Sequence, residues 1–229
     1  MVFFTADIHF GDEETMKEDN RPFKTIKDFD NFIINDFNAT ASAGDTIYVV
    51  GDLLDCARET DTLWEYGLGL VKKIKANIVL ILGNNEQRII DYFFDGSFEA
   101  FKNYCIKKGI KDVFKTLDVK VGKYTFHLVH QIKDGDKRKL NLFGHTHLCS
   151  GLYHPYGLCV SCDLNHFRLF TPEILEGYLI RKRDYWEPDE NVNYINPFLK
   201  EENGKIVNIK RGGKVYANYL KYNQFSTKI

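Results

Sequence analysis

The first 82 residues alternate between short, largely apolar runs and longer amphipathic stretches. Continuous apolar runs are typical of strands buried on both faces of a sheet, and three occur here, at residues 2–6, 46–50 and 78–82. Residues 25–37 and 62–75 separate them with apolar positions at helical spacing, and each opens with a Thr followed three residues later by an acidic residue. This capping pattern is typical of helix starts. The order strand, helix, strand, helix, strand predicts a parallel sheet covered by helices.

The pattern changes after residue 86. Residues 86–108 keep a mainly helical spacing with a break near Gly96-Ser97. Strand patterns follow, and the first two flank Gly122-Lys123, a dipeptide suited to a hairpin turn. The predicted strands lie at residues 113–121, 124–130, 140–143 and 157–161. Thr171-Pro172 then begins a helix, because Thr is a good N-cap and Pro is favoured at the first helical position.

The end of the chain is polar and rich in tyrosine. We therefore predict a main domain over residues 1–183 and a C-terminal extension over residues 184–229, in which residues 205–210 and 214–222 would form a β-hairpin that serves as a lid or an interaction segment. From Arg181 onward there are ten Lys and Arg against six Asp and Glu, a net charge of +4, which leaves −5 for the rest of the chain. A solvated surface is the simpler interpretation of this imbalance, and contact with an anionic ligand is the alternative.

Composition places the chain among ordinary globular proteins. Of its 229 residues, 44% are hydrophobic and 28% charged, and the net charge of −1 gives no overall bias toward nucleic acid or membranes. No apolar run is long enough for a membrane span. Five cysteines without a framework spacing, including a lone C-x-x-C at Cys159 and Cys162, indicate a reducing compartment rather than a zinc or disulfide scaffold. With no signal-peptide pattern at the N-terminus, we expect a cytoplasmic protein; the oligomeric state stays open.

Several predicted strands end in residues that commonly bind metals. In open α/β sheets ligands bind at the carboxyl ends of the strands, so side chains placed there would meet in one cluster. Glycines at positions 51, 83 and 144 would let the backbone turn sharply and approach closely. All five segments in order rarely arise from packing alone. The strand-end segments are Asp7-Ile8-His9, Gly51-Asp52, Gly83-Asn84, His130 and Gly144-His145-Thr146-His147.

The donors in this cluster favour a pair of divalent cations. Mixed imidazole and carboxylate ligands suit manganese, iron, zinc or nickel better than calcium. Two cations about 3.5–4 Å apart can hold the attacking and the leaving oxygen of an in-line displacement at phosphorus, and a water between them supplies hydroxide near neutral pH. The sequence therefore predicts two divalent metal ions, with Mn²⁺ favoured, and a phosphate ester as the substrate.

The motifs resemble the calcineurin-like metallophosphoesterase family over about residues 1–180. The family pattern is D-x-H, G-D-x-x-D, G-N-H-D/E, a later His and G-H-x-H. Here the pattern is carried by Asp7-Ile8-His9, Gly51-Asp52-Leu53-Leu54-Asp55, Gly83-Asn84-Asn85-Glu86, His130 and Gly144-His145-Thr146-His147. Residues 4–11 and 20–23 look like a subgroup of small bacterial and phage phosphoesterases. The resemblance implies an α/β fold in which two mixed β-sheets pack as a sandwich flanked by helices.

The resemblance also implies a role for each matching residue. With Asp52 bridging the two ions, the metal ligands would be Asp7, His9, Asp52 and His147 for one and Asn84, His130 and His145 for the other. Apart from the resemblance, Asp55 is a candidate to orient a ligand histidine, and a simple turn position is the alternative. Asp163 falls where the subgroup often has an Asp. The other histidines lie outside the motif and are not expected to be ligands; they are His127, His154 and His166.

Asn85 departs from the family pattern. The family usually has a His there to protonate the leaving-group oxygen, whereas an Asn amide does not titrate and can only donate a hydrogen bond to a phosphate oxygen. Losing general acid catalysis typically costs about 10²–10⁴-fold. We therefore expect a preference for esters with good leaving groups, such as aryl esters and some diesters. The sequence alone does not distinguish a native Asn85 from an engineered one.

Arg21 is the remaining candidate for catalysis. A guanidinium can contact a phosphate through two parallel hydrogen bonds, and a surface loop is the equally simple alternative. Together with Asp52 and Asn85, Arg21 completes the predicted catalytic residues.

The leading hypothesis is a dinuclear, metal-dependent phosphoesterase, more specifically a phosphodiesterase, in which a hydroxide between the metals attacks the ester. One alternative is a binding or scaffold module that keeps the fold and has lost catalysis; the complete set of seven ligands argues against it. Another is a nuclease, whose basic tail would guide nucleic acid and whose binding would fall steeply with salt.

Overall fold

The computed structural model describes residues 1–185, 199–202 and 205–208. Its first sheet has four strands that lie in chain order and pair in parallel: β1 (Val2–Thr5), β2 (Thr46–Val50), β3 (Asn77–Ile81) and β4 (Asp112–Phe114). The parallel sheet predicted from the alternation of strands and helices is therefore confirmed. At the outer edge of β1, an isolated antiparallel bridge joins Phe4 to Phe170 and a parallel one joins Ala6 to Ser161.

Five helices belong to this half of the chain: α1 (Glu13–Glu18), α2 (Ile26–Thr40), α3 (Leu63–Val71), α4 (Asn84–Phe93) and α5 (Phe98–Lys107). Thr25 caps α2 as predicted, since its hydroxyl accepts a hydrogen bond from the Asp28 amide at 3.1 Å. The predicted break near Gly96-Ser97 separates α4 from α5.

The expected capping of α3 was wrong. Thr62 makes no side-chain cap, and Asp61 instead accepts a hydrogen bond from the Leu63 amide at 2.8 Å. The helix ends at Val71, four residues before the predicted end.

The second sheet has five strands: β5 (Leu117–Val121), β6 (Tyr124–Leu128), β7 (Leu140–Phe143), β8 (Tyr153–His154) and β9 (Gly157–Cys159). Their order is β5-β6-β7-β9-β8. The sheet is mixed, because β6, β7 and β9 run parallel while the two outer strands pair antiparallel with their neighbours. The hairpin at Gly122-Lys123 is confirmed by the pairing of β5 with β6.

The single strand predicted over residues 113–121 is wrong. The chain leaves the first sheet after Phe114 and enters the second at Leu117, so the segment contributes β4 to one sheet and β5 to the other. Its alternating pattern suits both sheets because each strand has one face on a core.

Two apolar layers result from this arrangement. Successive residues of a strand point to opposite faces of the sheet, so Phe3 packs among the helices while Phe4 packs between the sheets. The layer between the sheets joins Val50 and Ile81 of the first sheet to Phe126 and other residues of the second. The two sheets therefore form a sandwich, and this packing fixes their carboxyl edges relative to each other.

The C-terminal part begins with α6 (Pro172–Tyr185), whose predicted cap is confirmed by a 3.3 Å hydrogen bond from the Ile174 amide to the Thr171 hydroxyl. Strands β10 (Leu199–Glu202) and β11 (Lys205–Asn208) then pair antiparallel. The expected partner strand at residues 214–222 lies outside the described residues, and the boundary of the extension stays a prediction. Among the helices of the described residues, none has the length and apolar character to cross a membrane.

Candidate metal centre

The two sheets bring the predicted strand-end residues to one place. Asp7 follows β1, Asp52 follows β2 and Asn84 follows β3, while His130 and His145 follow β6 and β7 of the other sheet. The Asp7 carboxylate accepts a hydrogen bond from the His145 amide at 2.8 Å, and His130 Nε2 lies 3.4 Å from Asp52 Oδ2. Residues scattered from position 7 to position 147 thus form one cluster, in which Asp7, Asp52 and His130 are buried and His145 is exposed.

Five of the predicted ligands have a left-handed backbone. This conformation is uncommon for residues other than glycine and costs free energy unless the surroundings enforce it. The φ angles are 57° for Asp7, 54° for His9, 50° for Asp52, 72° for His145 and 45° for His147. Such strain concentrates at functional sites, and its recurrence here sets these turns apart from ordinary strand ends.

The three glycines of the motifs are required for close approach. A Cβ at Gly51 would collide with the His130 imidazole, and one at Gly83 would collide with the Asp52 carboxylate. A Cβ at Gly144 would lie 2.7 Å from Asp7 Oδ1. The expectation that these glycines let the chain approach the site closely is confirmed.

Asp7, His9 and His147 form the first half of the centre. Each offers a ligand atom, and the three atoms lie within 4.8 Å of one another. Asp7 Oδ2 and His9 Nε2 are buried without a hydrogen-bond partner among the described residues. Unpartnered buried polar atoms are costly, so these atoms fit a bound cation that would satisfy both.

Asp52, His130 and His145 form the second half, again with ligand atoms within 4.8 Å of one another. His130 Nδ1 lies 3.0 Å from the Val50 carbonyl oxygen. Because a carbonyl can only accept, the proton of a neutral imidazole sits on Nδ1 and leaves the Nε2 lone pair free for a metal. That nitrogen lies 3.0 Å from Asn84 Oδ1, so the Asn84 side chain borders the same half.

Asp52 lies between the two halves. Its Oδ2 is 3.4 Å from His130 Nε2 and 3.7 Å from His9 Nε2. Its Oδ1 accepts a hydrogen bond from the backbone N–H of Asn85 at 3.0 Å. One carboxylate that faces an imidazole of each half is positioned as a shared ligand should be.

Carboxylates dominate the electrostatics of the centre. Burial lowers the pKa of His130, but Asp52 and Asp7 outweigh it and raise that pKa to about 9. Burial likewise lowers the pKa of His147, but Asp163 and Asp19 raise it to about 11. Imidazoles that hold a proton this firmly mark a region of negative potential, which attracts cations.

The expectation that Arg21 contacts phosphate is wrong. Its side chain is fully buried, and its guanidinium makes two hydrogen bonds of 2.9 Å to Asp163. The same group donates to the carbonyl oxygens of Asp7 and Ile8 at 2.8 Å and lies over the Phe29 ring. Arg21 therefore braces the strained turn after β1 from behind, and no substrate can reach it.

Asp163 completes this brace. Besides binding Arg21, its Oδ2 accepts from the Ser161 hydroxyl at 3.2 Å and lies 3.4 Å from His147 Nδ1. Asp19 Oδ2 lies 2.6 Å from the same nitrogen, although the two groups are not aligned for a hydrogen bond. Sequence reasoning placed Asp163 in a family position without finding this role, because residues 142 positions apart give no local signal.

Glu86 is the functional residue that sequence reasoning missed. Its buried carboxylate accepts hydrogen bonds from the amides of Asp52, Leu53, Leu54 and Gly83, at 2.9 to 3.0 Å. It thereby ties the turn after β2 to the start of α4. A signal was available, since an acidic residue three positions after the helix N-cap is half of a capping box.

Of the other polar residues considered in the sequence, Asp55 borders the centre, whereas the remaining histidines and the cysteines do not belong to it. Asp55 Oδ1 lies 3.6 Å from His9 Nδ1, close enough to orient this candidate ligand as predicted. His127 is turned to Asp118 at 2.6 Å, and neither His154 nor His166 belongs to a candidate metal cluster of the described residues. The five cysteines are free thiols, and in the described part of the chain none of them joins such a cluster.

The chain also matches the model of a known protein family. The family model for the calcineurin-like phosphoesterases matches residues 1–137. An uncharacterized protein of Methanocaldococcus jannaschii is 26% identical over 96 residues, which cover 40% of this chain and 52% of that protein. The matched segment thus spans about half the length of this relative.

Solved structures with a similar fold include a protein of unknown function from Aquifex aeolicus. It is 15% identical, with a TM-score of 0.53, and the match covers 78% of this chain and 98% of that one. An archaeal phosphodiesterase gives a TM-score of 0.38 at 13% identity, covering 71% of this chain and 84% of the other. The first similarity shows a shared fold, and the second is too low to bear on activity.

Proposed function

The chain belongs to the calcineurin-like phosphoesterase family, and from this premise we propose that it is a dinuclear metal-dependent phosphoesterase that prefers phosphodiesters. The observation that carries the proposal is that six candidate ligands form two adjoining clusters with Asn84 beside the second, while two buried ligand atoms, Asp7 Oδ2 and His9 Nε2, have no hydrogen-bond partner among the described residues.

Each half of the centre would hold one divalent cation. Asp7, His9 and His147 would bind the first, His130, His145 and Asn84 the second, and Asp52 would be shared. When bound, such a pair supplies a hydroxide near neutral pH and neutralises the charge that develops on the phosphoryl oxygens. Manganese suits this mixed set of imidazole and carboxylate donors, as do iron, zinc and nickel.

Three side chains near the centre would hold the ligands and the phosphate group in position. The bracing of Asp7 by Arg21, and of the Asp52 turn by Glu86, keeps the ligands in place while a substrate binds. Asn85 is 3% exposed and borders His9, with 3.4 Å between its Nδ2 and His9 Nδ1. Its amide would donate to a phosphate oxygen, and it holds no proton to give to a leaving group.

The absence of an acid at this position supports a preference for substrates with good leaving groups. A substrate whose leaving group is stable as an anion needs no proton from the enzyme, whereas an alkyl phosphate monoester depends on one. Aryl esters and activated diesters are therefore the substrates that this centre would hydrolyse fastest.

A scaffold module is the second candidate function. Its sole support is the replacement of the family His by Asn85, which removes the group that protonates the leaving oxygen. A nuclease is a narrower version of the enzyme, with a nucleic acid or a nucleotide as the diester; the basic charge after Arg181 supports it.

Hydrolysis of bis-p-nitrophenyl phosphate with added Mn²⁺ tests the proposal. We expect turnover that is lost on chelation, restored by Mn²⁺ and faster than turnover of p-nitrophenyl phosphate. Protein that binds Mn²⁺ and hydrolyses neither ester would favour the scaffold module. A nuclease would in addition cleave oligonucleotides with a steep dependence on salt.

A further inference from the structure

Arg88 is an exposed cation at the edge of the candidate metal centre that no part of the proposed mechanism uses. It lies in α4 three residues after Asn85, a spacing that puts the two side chains on the same face of the helix. Its Nη1 donates a hydrogen bond to Asn85 Oδ1 at 2.9 Å. Among the described residues it forms no ion pair with a carboxylate, so this hydrogen bond is its main polar contact with the protein.

The contact fixes which way the Asn85 amide faces. A guanidinium has only donors, so the atom that faces Arg88 must be the amide oxygen. The amide nitrogen is therefore on the opposite side, toward His9 and the metal centre, and its distance from His9 Nδ1 is 3.4 Å. Rotation of the amide by half a turn would break the contact with Arg88 and turn an oxygen toward the site.

The proton on His9 decides what the amide nitrogen can do. His9 Nε2 is the unpartnered atom that faces Asp52, so a cation would take its lone pair and leave the proton on Nδ1. Nδ1 then faces the carboxylates of Asp55 and Asp12, at 3.6 and 3.9 Å. Two donors do not bond each other, which leaves the Asn85 amide protons free for an oxygen of the substrate.

We infer that Arg88 is a positioning residue: it holds the Asn85 side chain with its Nδ2 directed at the metal centre, where this group donates to an oxygen of a bound phosphate. The pair would replace a titrating imidazole with a donor that is permanent and oriented. The inference rests on the proposed phosphoesterase function and adds to it a residue that acts through Asn85.

Binding of inorganic phosphate to the Mn²⁺-loaded protein, measured by calorimetry, tests the pair without turnover. We expect Arg88→Met and Asn85→Ala each to weaken phosphate binding by about 10- to 150-fold, the value of one hydrogen bond to a charged group. Because Arg88 acts through Asn85, the double variant should bind phosphate no more weakly than Asn85→Ala alone. Arg88→Lys, which keeps a donor, should recover part of the loss.

Gln87→Met is the matched control. Gln87 is the exposed neighbour of Arg88 on the same helix and hydrogen-bonds Asp91 instead of the site, so its replacement should leave phosphate binding unchanged. Thermal melts of all variants check folding, and Asn85→Ser serves where Asn85→Ala is unstable. The same set is then assayed for kcat/KM on bis-p-nitrophenyl phosphate, where the same pattern is expected.

Losses that multiply in the double variant would overturn the inference, since Arg88 would then act on the phosphate independently of Asn85. An Arg88→Met protein with normal phosphate binding would overturn it as well. Wild-type protein that binds Mn²⁺ and phosphate but hydrolyses no ester would contradict the proposed function alone, and the binding data would still decide on Arg88. Wild-type protein that binds neither would overturn both.

Discussion

The two halves of the candidate metal centre are built differently. In the first half, Asp7 Oδ2 and His9 Nε2 are buried with no hydrogen-bond partner among the described residues. In the second half, both ring nitrogens of His130 have partners, in the Val50 carbonyl and the Asn84 side chain. The first half therefore depends on a cation to satisfy these two atoms, whereas in the second half both ring nitrogens of His130 lie 3.0 Å from a protein oxygen even without one.

The supports of the two halves differ in the same way. Arg21 and Asp163 brace the first half from behind, by binding the backbone of Asp7 and Ile8 and by facing His147. Glu86 braces the second half by gathering the amides around Asp52 and Gly83. The two braces have no residue in common, so each can be removed by a single substitution.

Asp52→Asn removes the carboxylate that we propose as a ligand shared by both halves. We expect the largest effect here, a loss of kcat/KM of at least about 10³-fold on bis-p-nitrophenyl phosphate, since both cations and the charge they stabilise depend on this carboxylate. Asp118→Asn, at an exposed position on β5, is the control and should keep full activity. Activity in Asp52→Asn within tenfold of wild type would show that the halves do not share this ligand.

Glu86→Gln should destabilise the second half. An amide nitrogen would face two backbone N–H donors in place of a carboxylate oxygen, so we expect the free energy of unfolding to fall by about 2–3 kcal/mol. Urea denaturation of the metal-free protein measures this loss. Glu99→Gln, in the first turn of α5, is the matched control, and an equally small effect in both variants would rule out the brace.

Arg21→Lys should weaken the first half alone. A lysine cannot make the paired contact with Asp163 while also holding two carbonyl oxygens, and loss of such a support typically costs about 10–100-fold in metal affinity. Anomalous diffraction from Mn²⁺-soaked crystals should show reduced occupancy beside Asp7 and full occupancy beside His130. Arg168→Lys is the control, and an equal loss at both positions would mean that Arg21 supports the fold rather than one half.

Asn85→His gives the smallest expected change, and it is a gain. Restoring an acid should raise turnover of alkyl phosphate monoesters by about tenfold or more, while activated diesters, which need no proton, change less. Parallel assays on the two substrate classes measure the ratio. An equal change on both classes would show that Asn85 does not determine the substrate preference.

The sequence predicted most of the elements because their signals are local. Apolar runs located β1 to β3, and the Thr25 and Thr171 caps located α2 and α6. The boundary between β4 and β5 was missed, since an alternating pattern does not record that the chain changes sheets. The α3 cap was missed because Asp61 and Thr62 are both good capping residues.

The candidate ligands could be predicted because each ends a strand and belongs to a motif. Their supports could not, because they depend on contacts between distant parts of the chain. Arg21 is an ordinary loop arginine until Asp163 and the turn after β1 surround it. The left-handed backbone at Asp7, His9 and Asp52 is likewise a property of the folded chain, since the residue type alone does not predict it.

Anomalous diffraction at the manganese edge from Mn²⁺-soaked crystals of the wild-type protein tests directly whether the centre binds two cations. We predict two peaks about 3.5–4 Å apart, one bordered by Asp7, His9 and His147, the other by Asn84, His130 and His145, with Asp52 between them. A single peak, or well-ordered side chains with no peak at all, would contradict it.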